Sequence, residues 1–571
     1  MPVFAGFGKF SSVVSILLAG CATSNEGAQQ PEGASAIVEK IGRATQTHAV
    51  AAANPLATQA GLQMLQAGGS AVDAAIAVQM VLTLVEPQSS GIGGGAFLVH
   101  FDGKRVQAFD GRETAPASAT PDLFLQPDSD ANGVLVPMPF KDAVVSGRSI
   151  GVLGVLPMLE LAHRQHGRLP WARLIQPAIE LAHNGFPVSE RMATLLANET
   201  ALRNNPTARA YFFDADGKPW KQGHILKNPE LAAVFQAIAE KGAAALTHGA
   251  IAQAIVRTAP RLTLHDLQNY RALERDPLCF DYRSRQAYRI CGMPPPSSGT
   301  MAIQQILESL SRTNQHTNQH TNPITLNADW LHEYAQASRR AFAYRAQYVA
   351  DPAFMPTNPI HTSYAPMPDQ PEYGTSHISV VDARGNALAM TTSIEDAWGS
   401  RHMVNRGVGL TGGFLLNNQL TDFSFTPTDA SGKPIANRVE AGKRPRSSMS
   451  PTLVLDQPSG QFLLTAGSPG GAFIIHFTAK TLIGVLDWGL NVQEAINLPN
   501  FGILSGAKDA TLWLEHNRFD HATVQALEAR GNKVQSIALP SGIQAIQRTK
   551  DGNGGYLGGA DPRREGIVMG D

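Results

Sequence analysis

The chain has 571 residues, of which 43% are hydrophobic and 16% charged, a composition typical of a soluble globular protein. Its 46 Lys and Arg residues balance its 47 Asp and Glu residues, and aromatic residues make up only 7%. This balance, without basic clusters interleaved with aromatic residues, argues against nucleic-acid binding. Length alone suggests about three or four domains of roughly 150 residues.

The first two dozen residues predict export. Lys9 precedes an apolar run at 13–20, which is too short to span a bilayer, since that takes about 20 residues. The run fits the core of a signal peptide over residues 1–20. It ends in Leu-Ala-Gly-Cys at Cys21, which resembles a bacterial lipobox, so Cys21 is a lipidation candidate; a plain signal peptide is the alternative. Residues 21–45 are then a flexible tether, and we expect a periplasmic protein, membrane-anchored if Cys21 is lipidated.

Hydrophobic periodicity predicts the next elements in chain order. Helical spacing covers 54–68 and 71–85, and a strand follows at 97–101. The region 150–275 is mostly helical, with segments near 152–165, 171–184, 188–199, 229–241 and 247–257.

Two cysteines, Cys279 and Cys291, flank a segment that is strand-like on both sides of a polar centre at 284–285. In a hairpin turning there, the two cysteines face each other across the strands. An oxidising compartment allows them to pair. Two buried free thiols are the alternative.

The polar repeat at 311–324 is expected to be a solvated loop rather than a metal site at His316 and His320, and a helix follows at 328–349. The last third is richer in strands. These are predicted at 378–381, 387–393, 413–417, 452–455 and 462–466, with helices near 471–488 and 491–496. This grouping of strands and helices favours layered α+β packing.

Motifs of several common enzyme classes are missing from the sequence. It contains no H-E-x-x-H, cysteine cluster or P-loop, so we predict neither a metal nor a cofactor. The glycines at 91–95 lead into a strand, whereas a dinucleotide fingerprint opens a helix. The G-x-S-x-G pattern fails because Ala466 stands at its first glycine.

Another kind of nucleophile is available in Thr375. A threonine at a chain N-terminus carries its own base, because its α-amine lies within hydrogen-bond reach of its hydroxyl. That amine has a pKa of about 8, so a useful fraction is uncharged near neutral pH. Cleavage after Gly374 would expose such a threonine before a predicted strand. Any Gly-Thr pair before a strand fits this pattern equally well.

A series of motifs from about residue 46 onward points to one family. They lie at 54–57, 68–75, 91–95, 110–116, 293–299, 375–380, 415–423, 443–449 and 467–471. In these motifs the chain resembles the γ-glutamyltranspeptidase (glutathione hydrolase) family, a group of Ntn-hydrolases with an N-terminal nucleophile. The resemblance implies an α+β fold, a four-layer αββα sandwich. It also implies cleavage into a large subunit, 46–374, and a small catalytic subunit, 375–571, intertwined in one domain.

The resemblance also implies roles for individual residues. The cleavage site is Gly374-Thr375, with Thr375 as nucleophile, Ser393 as a supporting hydroxyl, and Gly470 and Gly471 as oxyanion donors. A γ-glutamyl group ends in a carboxylate and an ammonium, so its pocket has to satisfy both charges. The residues implied for this are Arg112, Ser447 and Ser448 for the carboxylate, and Glu395, Gln419 and Asp422 for the ammonium.

The implied activity is transfer of a γ-glutamyl group, with glutathione as the expected donor and water, an amino acid or a dipeptide as acceptor. The expected partners are these small molecules and the two subunits of one precursor. An acylase of cephalosporin-type side chains and a poly-γ-glutamate depolymerase are alternatives on the same scaffold. An unprocessed, inactive binding protein of the same fold is a further alternative.

The chain departs from the usual family pattern at several positions. Trp398 replaces a common Phe, Glu395 stands where some members have Asn, and Arg446 replaces a common Leu beside Ser447. The loop between Asp422 and Ser447 is shorter than in members with a lid and longer than in members without one. Other members carry Glu at position 395, so ammonium binding is expected to be kept. Arg446 and the loop leave the acceptor, and the balance of hydrolysis against transfer, open.

Overall fold

The computed structural model describes residues 37–128, 133–317, 326–356, 364–549 and 554–571. The predicted signal peptide, Cys21, His320 and most of the predicted tether lie outside these residues. None of the described helices combines the length and the hydrophobicity needed to cross a bilayer.

The helices of the described residues include the ten predicted ones and six that the sequence does not predict. They are α1 (Pro55–Gln66), α2 (Ala71–Val85), α3 (Phe140–Val145), α4 (Val155–His166), α5 (Trp171–Asn184), α6 (Glu190–Asn198), α7 (Pro206–Phe212), α8 (Pro229–Lys241), α9 (Ala244–Thr247), α10 (Gly249–Thr258), α11 (Leu264–Asn269), α12 (Gly299–Thr317), α13 (Ala328–Tyr348), α14 (Ile474–Leu486), α15 (Val492–Asn497) and α16 (His521–Ala529).

The strands are distributed over the whole described chain. They are β1 (Arg43–Thr45), β2 (Ala49–Ala52), β3 (Gly95–Phe101), β4 (Val106–Gly111), β5 (Leu125–Pro127), β6 (Leu135–Pro137), β7 (Phe186–Pro187), β8 (Ile225–Leu226), β9 (Leu273–Arg275), β10 (Leu278–Arg283), β11 (Ala287–Gly292), β12 (Ser376–Val381), β13 (Ala387–Ser393), β14 (Met403–Val404), β15 (Phe414–Leu415), β16 (Thr452–Asp456), β17 (Phe462–Gly467), β18 (Phe501–Gly502), β19 (Leu512–Glu515), β20 (Val534–Ile537), β21 (Gln544–Arg548), β22 (Tyr556–Ala560) and β23 (Ile567–Gly570).

Two seven-stranded antiparallel sheets form the centre of the fold. One has the order β1-β22-β21-β17-β16-β11-β10 and the other β23-β2-β12-β13-β3-β4-β9. Apolar side chains of both sheets, such as Val99, Val381, Leu453 and Ile546, form a core between them. Helices α1, α2 and α4 pack on the second sheet, with α5 against α2 and α8 against α5, while α12, α14 and α15 pack on the first sheet, with α13 against α12. The predicted four-layer αββα sandwich is therefore confirmed.

Both sheets contain strands from before and after Thr375. In the second sheet, β12, β13 and β23 lie beside β2, β3 and β4. In the first, β16 pairs with β11, and β22 pairs with β1. A cut before Thr375 would therefore divide the chain but leave both sheets shared by the two pieces.

Local sequence explains why α2 begins and lies where it does. Ser70 and Asp73 form a reciprocal capping box, in which the Asp73 N–H donates to Ser70 Oγ at 3.1 Å and the Ser70 N–H donates to Asp73 Oδ2 at 2.8 Å. Every residue from Ala71 to Val85 is buried, as expected for a helix that is apolar all round. This helix packs under the sheet that carries β12.

Strands β12 and β13 form a hairpin in which Val381 pairs with Ala387. Asp382 closes the turn by accepting N–H groups from Arg384 and Asn386 at 2.9 and 3.1 Å. Gly385 adopts a φ of 79°, which favours glycine. Both strands are entirely buried, so residues packed on both faces of the sheet hold the start of β12 in place.

Two predicted boundaries are wrong. The tether was predicted to extend to residue 45, but β1 (Arg43–Thr45) pairs with β22, and the Lys40 ammonium donates to the carbonyl oxygens of Asp561 and Arg564 at 2.8 and 2.6 Å. The polar loop predicted from 311 begins later, because α12 continues to Thr317. Burial of its earlier apolar turns beside α13 and α14 supports helix beyond the point where the local sequence favours it.

The predicted hairpin and disulfide are present. Cys279 and Cys291 are direct cross-strand partners in β10 and β11, and their sulfur atoms are bonded.

Replacing both cysteines by serine removes a cross-link that spans 12 residues in sequence. A loop of this size is expected to stabilise the fold by about 3 kcal/mol, through the entropy of the unfolded chain. We expect the Cys279→Ser/Cys291→Ser protein to unfold at a lower urea concentration than the oxidised wild type. Reduced wild type should unfold close to the double variant; equal midpoints for oxidised wild type and variant would contradict the prediction.

Candidate active site

Thr375 lies at the entrance of β12 and is buried. The chain is continuous through Gly374-Thr375, and the Thr375 hydroxyl donates a short hydrogen bond to the Gly374 carbonyl oxygen. The hydroxyl of the predicted nucleophile is therefore next to the carbonyl group of the predicted scissile bond.

A buried polar network anchors the residue that follows Thr375. The Ser376 hydroxyl donates to Glu86 Oε2 at 2.8 Å and accepts from the Ser90 hydroxyl at 3.1 Å. Arg191 Nη1 donates to the other Glu86 oxygen at 2.9 Å. Burial raises the pKa of Glu86, and the neighbouring Arg191 opposes that shift. Sequence reasoning missed this network, because its members are up to 290 residues apart.

Ser393, at the end of β13, contacts the same carbonyl as Thr375. Its hydroxyl donates to the Gly374 oxygen at 2.5 Å and accepts the Glu395 N–H at 2.8 Å. A Cβ atom on Gly374 would lie 2.1 Å from the Glu395 carbonyl oxygen, so only glycine fits before Thr375. Ser393 is thus placed to stabilise negative charge on the Gly374 oxygen.

The three predicted ammonium-binding residues are brought together. Gln419 Nε2 donates to Glu395 Oε2 at 3.0 Å and to Asp422 Oδ2 at 3.5 Å. Within the described structure, Asp422 Oδ1 and Gln419 Oε1 are buried without a hydrogen-bond partner. Burial, with Asp422 adding to it, raises the pKa of Glu395 well above its usual range. This cluster of acceptors is short of positive charge, as expected of a site for an ammonium group.

Arg112 is completely buried behind Asp422, with which it forms a close ion pair. Its Nε and Nη2 groups donate to the carbonyl oxygens of Pro445 at 3.2 Å and Arg446 at 2.8 Å. Within the described structure its Nη1 is buried without a hydrogen-bond partner and lies 3.7 Å from Glu113 Oε2. Burial raises the pKa of Asp422 to about 6 even though Arg112 opposes the shift. Arg112 is absent from the lining of the small cavity beside Thr375. The structure therefore places Arg112 where it orients Asp422.

Ser447 and Ser448 do line the cavity. The Ser448 hydroxyl donates to Glu372 Oε2 at 2.5 Å, and the Ser447 hydroxyl accepts the Met449 N–H at 3.2 Å. In the uncut chain, Ser448 therefore already binds a carboxylate, which comes from the segment just before Thr375.

The cavity is nearly filled by that preceding segment. Glu372 and Tyr373 form part of its wall, and the Tyr373 N–H donates to Glu395 Oε1 at 3.0 Å. About 10 Å³ remains, which is roughly the space for one water molecule. A γ-glutamyl group enters only after Glu372 and Tyr373 move.

Gly470 and Gly471 adopt φ angles of 129° and 56°. A Cβ on Gly470 would lie 2.6 Å from the Phe477 ring, and one on Gly471 would lie 1.9 Å from the Glu372 carbonyl oxygen. The positions therefore require glycine, and Gly471 directly contacts the segment that precedes the nucleophile. Their role as oxyanion donors stays a prediction.

The loop between Asp422 and Ser447 is packed against the body of the protein. Phe425 stacks on Phe124 at 4.5 Å between ring centroids. Asn437 donates to the Asp422 carbonyl oxygen at 2.7 Å and accepts the Arg446 N–H at 3.0 Å. These bonds fix Arg446 and Asp422 relative to each other.

Sequence reasoning also missed Glu372 and Arg345, because no motif marks an isolated Glu in a loop or an Arg within a long amphipathic helix. His377 follows Thr375 closely, but its ring forms hydrogen bonds with Thr391 and Ser379, and burial lowers its pKa to about 3.

Among the described residues, no group of three or more His, Cys, Asp or Glu side chains is arranged to hold a metal ion.

An αββα sandwich with a buried threonine at the start of a central strand defines the class of Ntn-hydrolases. The chain superimposes on a cephalosporin acylase from Bacillus halodurans with a TM-score of 0.78, at 24% identity, over 93% of this chain and 97% of that one. At this identity the likeness supports the fold alone.

Sequence comparison identifies the family. The family model described as gamma-glutamyltranspeptidase matches residues 57–368 and 356–571. A glutathione hydrolase proenzyme of Escherichia coli (strain K12) is 34% identical, covering 90% of both chains. Similar relatives are a glutathione hydrolase proenzyme of Bacillus subtilis (strain 168), 32% identical over 91% of both chains, and glutathione hydrolase 2 of Arabidopsis thaliana, 32% identical over 89% of this chain and 91% of that one. The chain belongs to the γ-glutamyltranspeptidase family.

The Ser393 contact predicts the effect of its removal on cleavage before Thr375. Loss of one oxyanion donor typically slows a reaction by about 10²- to 10³-fold. We expect Ser393→Ala to slow the appearance of two fragments on a denaturing gel by about this factor, and Ser393→Thr, which keeps the hydroxyl, to cleave at nearly the wild-type rate. Equal cleavage rates for Ser393→Ala and wild type would exclude this role.

Proposed function

We propose that this protein is an autoprocessing γ-glutamyl hydrolase and transferase that acts on glutathione and related γ-glutamyl compounds. One observation carries the proposal: the Thr375 hydroxyl contacts the Gly374 carbonyl beside a buried group of acceptors short of positive charge. The names of the relatives, glutathione hydrolases from bacteria and a plant, agree with this activity.

Autoprocessing begins at Thr375. Its oxygen attacks the Gly374 carbonyl carbon, and the C–N bond between Gly374 and Thr375 breaks. The hydroxyl proton passes to the departing nitrogen, which becomes the α-amine of Thr375. Water then hydrolyses the ester between Gly374 and the Thr375 oxygen, producing the free Gly374 carboxylate. The piece that ends at Gly374 and the piece 375–571 remain associated, because both sheets contain strands from each.

The same oxygen then acts on the γ-amide of the donor. The new α-amine, with a pKa of about 8, accepts the hydroxyl proton and passes it to the departing amine. A γ-glutamyl ester on Thr375 results, and water or the amino group of an amino acid or dipeptide takes the acyl group. Gly470 and Gly471 are proposed to donate N–H groups to the carbonyl oxygen during both steps.

Recognition of the donor is assigned to the groups around Thr375. Glu395, Gln419 and Asp422 supply acceptors for the ammonium, and Ser447 and Ser448 lie on the cavity wall for the carboxylate. Arg112 is the cation that the family resemblance implies for the carboxylate; its Nη2 pairs with Asp422, and its Nη1 is without a hydrogen-bond partner among the described residues.

The acylase alternative is less consistent with this site. A glutaryl side chain has a carboxylate but no ammonium, and would leave Glu395 without a cation and Asp422 with Arg112 alone. We therefore expect turnover of γ-glutamyl-p-nitroanilide and little turnover of a glutaryl-cephem. The reverse preference would assign the protein to the acylases.

Thr375→Ala tests the proposed function itself. The change removes the attacking oxygen, so we expect a single intact chain on a denaturing gel and no hydrolysis of γ-glutamyl-p-nitroanilide. Wild type should give two fragments, the smaller beginning at Thr375 by N-terminal sequencing. An intact, inactive wild type would instead support the inactive binding protein, and cleavage of the alanine variant would refute the processing site.

The raised carboxyl pKa values predict how donor binding depends on pH. In the uncut chain, burial raises the pKa of Asp422 to about 6 and the nearby Glu372 adds to the shift. Once protonated, Asp422 no longer carries a charge to pair with an ammonium. We expect kcat/KM to fall by up to about tenfold per pH unit below pH 6, mainly through a rising KM. The Asp422→Asn variant should have a high KM at every pH and lose most of the decrease in kcat/KM at acid pH. If the decrease is unchanged in the variant, another group causes it.

A further inference from the structure

The segment 366–374 ends in the carbonyl group that Thr375 attacks during autoprocessing, and it belongs to no helix or strand. Three of its nine residues are prolines, which have no backbone N–H to donate. At its beginning, the Met367 N–H donates to the Ala346 carbonyl oxygen at 2.9 Å. The position of the reacting carbonyl therefore depends on individual contacts nearer to Gly374.

The charged contact nearest to that carbonyl is made by Glu372. Arg345 Nη2 hydrogen-bonds to Glu372 Oε1, and Arg446 Nη2 lies 3.7 Å from the same oxygen. The Ser448 hydroxyl donates to Oε2 at 2.5 Å. The Glu372 side chain is 11% exposed and the arginine side chains 7% and 5%, so water competes little for these contacts. We call Glu372 with these three partners the Glu372 clamp.

The partners of Glu372 are themselves held in place. Arg345 Nε donates to Ser298 Oγ at 2.9 Å, and its Nη2 also donates to Ser448 Oγ at 2.7 Å. Arg446 Nη1 donates to the Arg345 carbonyl oxygen at 3.3 Å. Burial favours the neutral form of Glu372, but the two arginines outweigh it and hold its pKa below the usual range. The clamp therefore attaches a charged carboxylate to fixed points of the fold.

The clamp lies two residues before the bond that is cut. Between them, the Tyr373 N–H donates to Glu395 Oε1 at 3.0 Å. With the Glu372 carboxylate and the Tyr373 N–H both bound, the Gly374 carbonyl has little freedom to turn away from the Thr375 hydroxyl that it contacts. Holding two reacting groups in this way is a large part of what accelerates an intramolecular step.

We propose that the Glu372 clamp positions the Gly374 carbonyl against the Thr375 hydroxyl, which makes Glu372 a positioning residue for the self-cleavage step. The inference rests on the proposed function and deepens its autoprocessing step. The role of Glu372 ends with cleavage, because Glu372 and Tyr373 have to leave the cavity before a donor can enter.

The rate of self-cleavage after cell-free synthesis, followed as two fragments on a denaturing gel, tests this role. Displacing a reacting group by about 1 Å can slow a reaction by about 10²-fold. We expect Glu372→Gln, which removes the charge, to slow cleavage by about 10- to 100-fold, and Glu372→Asp, which keeps it, to recover part of the rate. Asp369→Asn is the matched control, because it removes an exposed carboxylate of the same segment, and it should cleave at the wild-type rate.

A double-mutant cycle tests whether the clamp acts as one unit. Arg446→Leu introduces the residue that the family commonly has at this position and leaves Glu372 with its other two partners. We expect it to slow cleavage less than Glu372→Gln does, and to add little in a chain that already carries Glu372→Gln, because the contact is then lost already. Independent effects of the two changes on the fold would multiply instead.

Turnover of γ-glutamyl-p-nitroanilide per cleaved chain separates positioning from general damage to the site. We expect cleaved Glu372→Gln to hydrolyse this substrate at the wild-type rate, since Glu372 has left the cavity by then. If Glu372→Gln stays uncut, the comparison is made with cleaved Glu372→Asp.

The outcomes distinguish the positioning role from the proposed function. Equal cleavage rates for wild type and Glu372→Gln, or an equal loss of cleavage and of turnover per cleaved chain, would overturn the role of Glu372. A wild type that cleaves itself but does not hydrolyse γ-glutamyl-p-nitroanilide would contradict the proposed function without affecting the comparison of cleavage rates. A wild type that remains uncut would overturn both.

Discussion

The burial of strand β12 is the constraint on which the active site depends. Its backbone is hydrogen-bonded to β2 on one side and β13 on the other, and both of its faces are covered. Local opening of such a strand would break its core contacts and its inter-strand hydrogen bonds at the same time. The residue at its end is therefore held firmly in place. Ser376 adds a side-chain bond to Glu86. The Thr375 hydroxyl is thereby kept against the Gly374 carbonyl.

Around that strand end, buried charges compensate one another. Arg112 balances Asp422, while Arg345 and Arg446 balance Glu372. Removing one member of a buried pair leaves the other uncompensated, at a cost of several kcal/mol. In the uncut chain, the anion between Arg345 and Arg446 comes from Glu372, in the segment just before Thr375.

For α2, α5, α8 and β13, the first and last residues are those that the sequence predicts. Their boundaries follow from local signals: a capping box at Ser70, an Asn cap at Asn228 before Pro229, and a glycine turn before Ala387. The wrong boundaries lie where tertiary packing outweighs local preference. The polar end of α12 follows buried turns of the same helix, and Arg43 joins a sheet whose partner strand lies at the other end of the chain.

The sequence by itself determined the strand that follows Thr375, the family to which its motifs point, and the acceptors Glu395, Gln419 and Asp422. These features are local, or are carried by motifs with a recognisable order. Only the tertiary structure decided that Arg112 faces Asp422, and that Arg345 and Arg446 meet at Glu372. Arg345 is 27 residues from Glu372 and 103 from Ser448 in sequence. Their contact is decided by how α13, the segment before β12 and the loop before β16 pack together, and no local pattern encodes that arrangement.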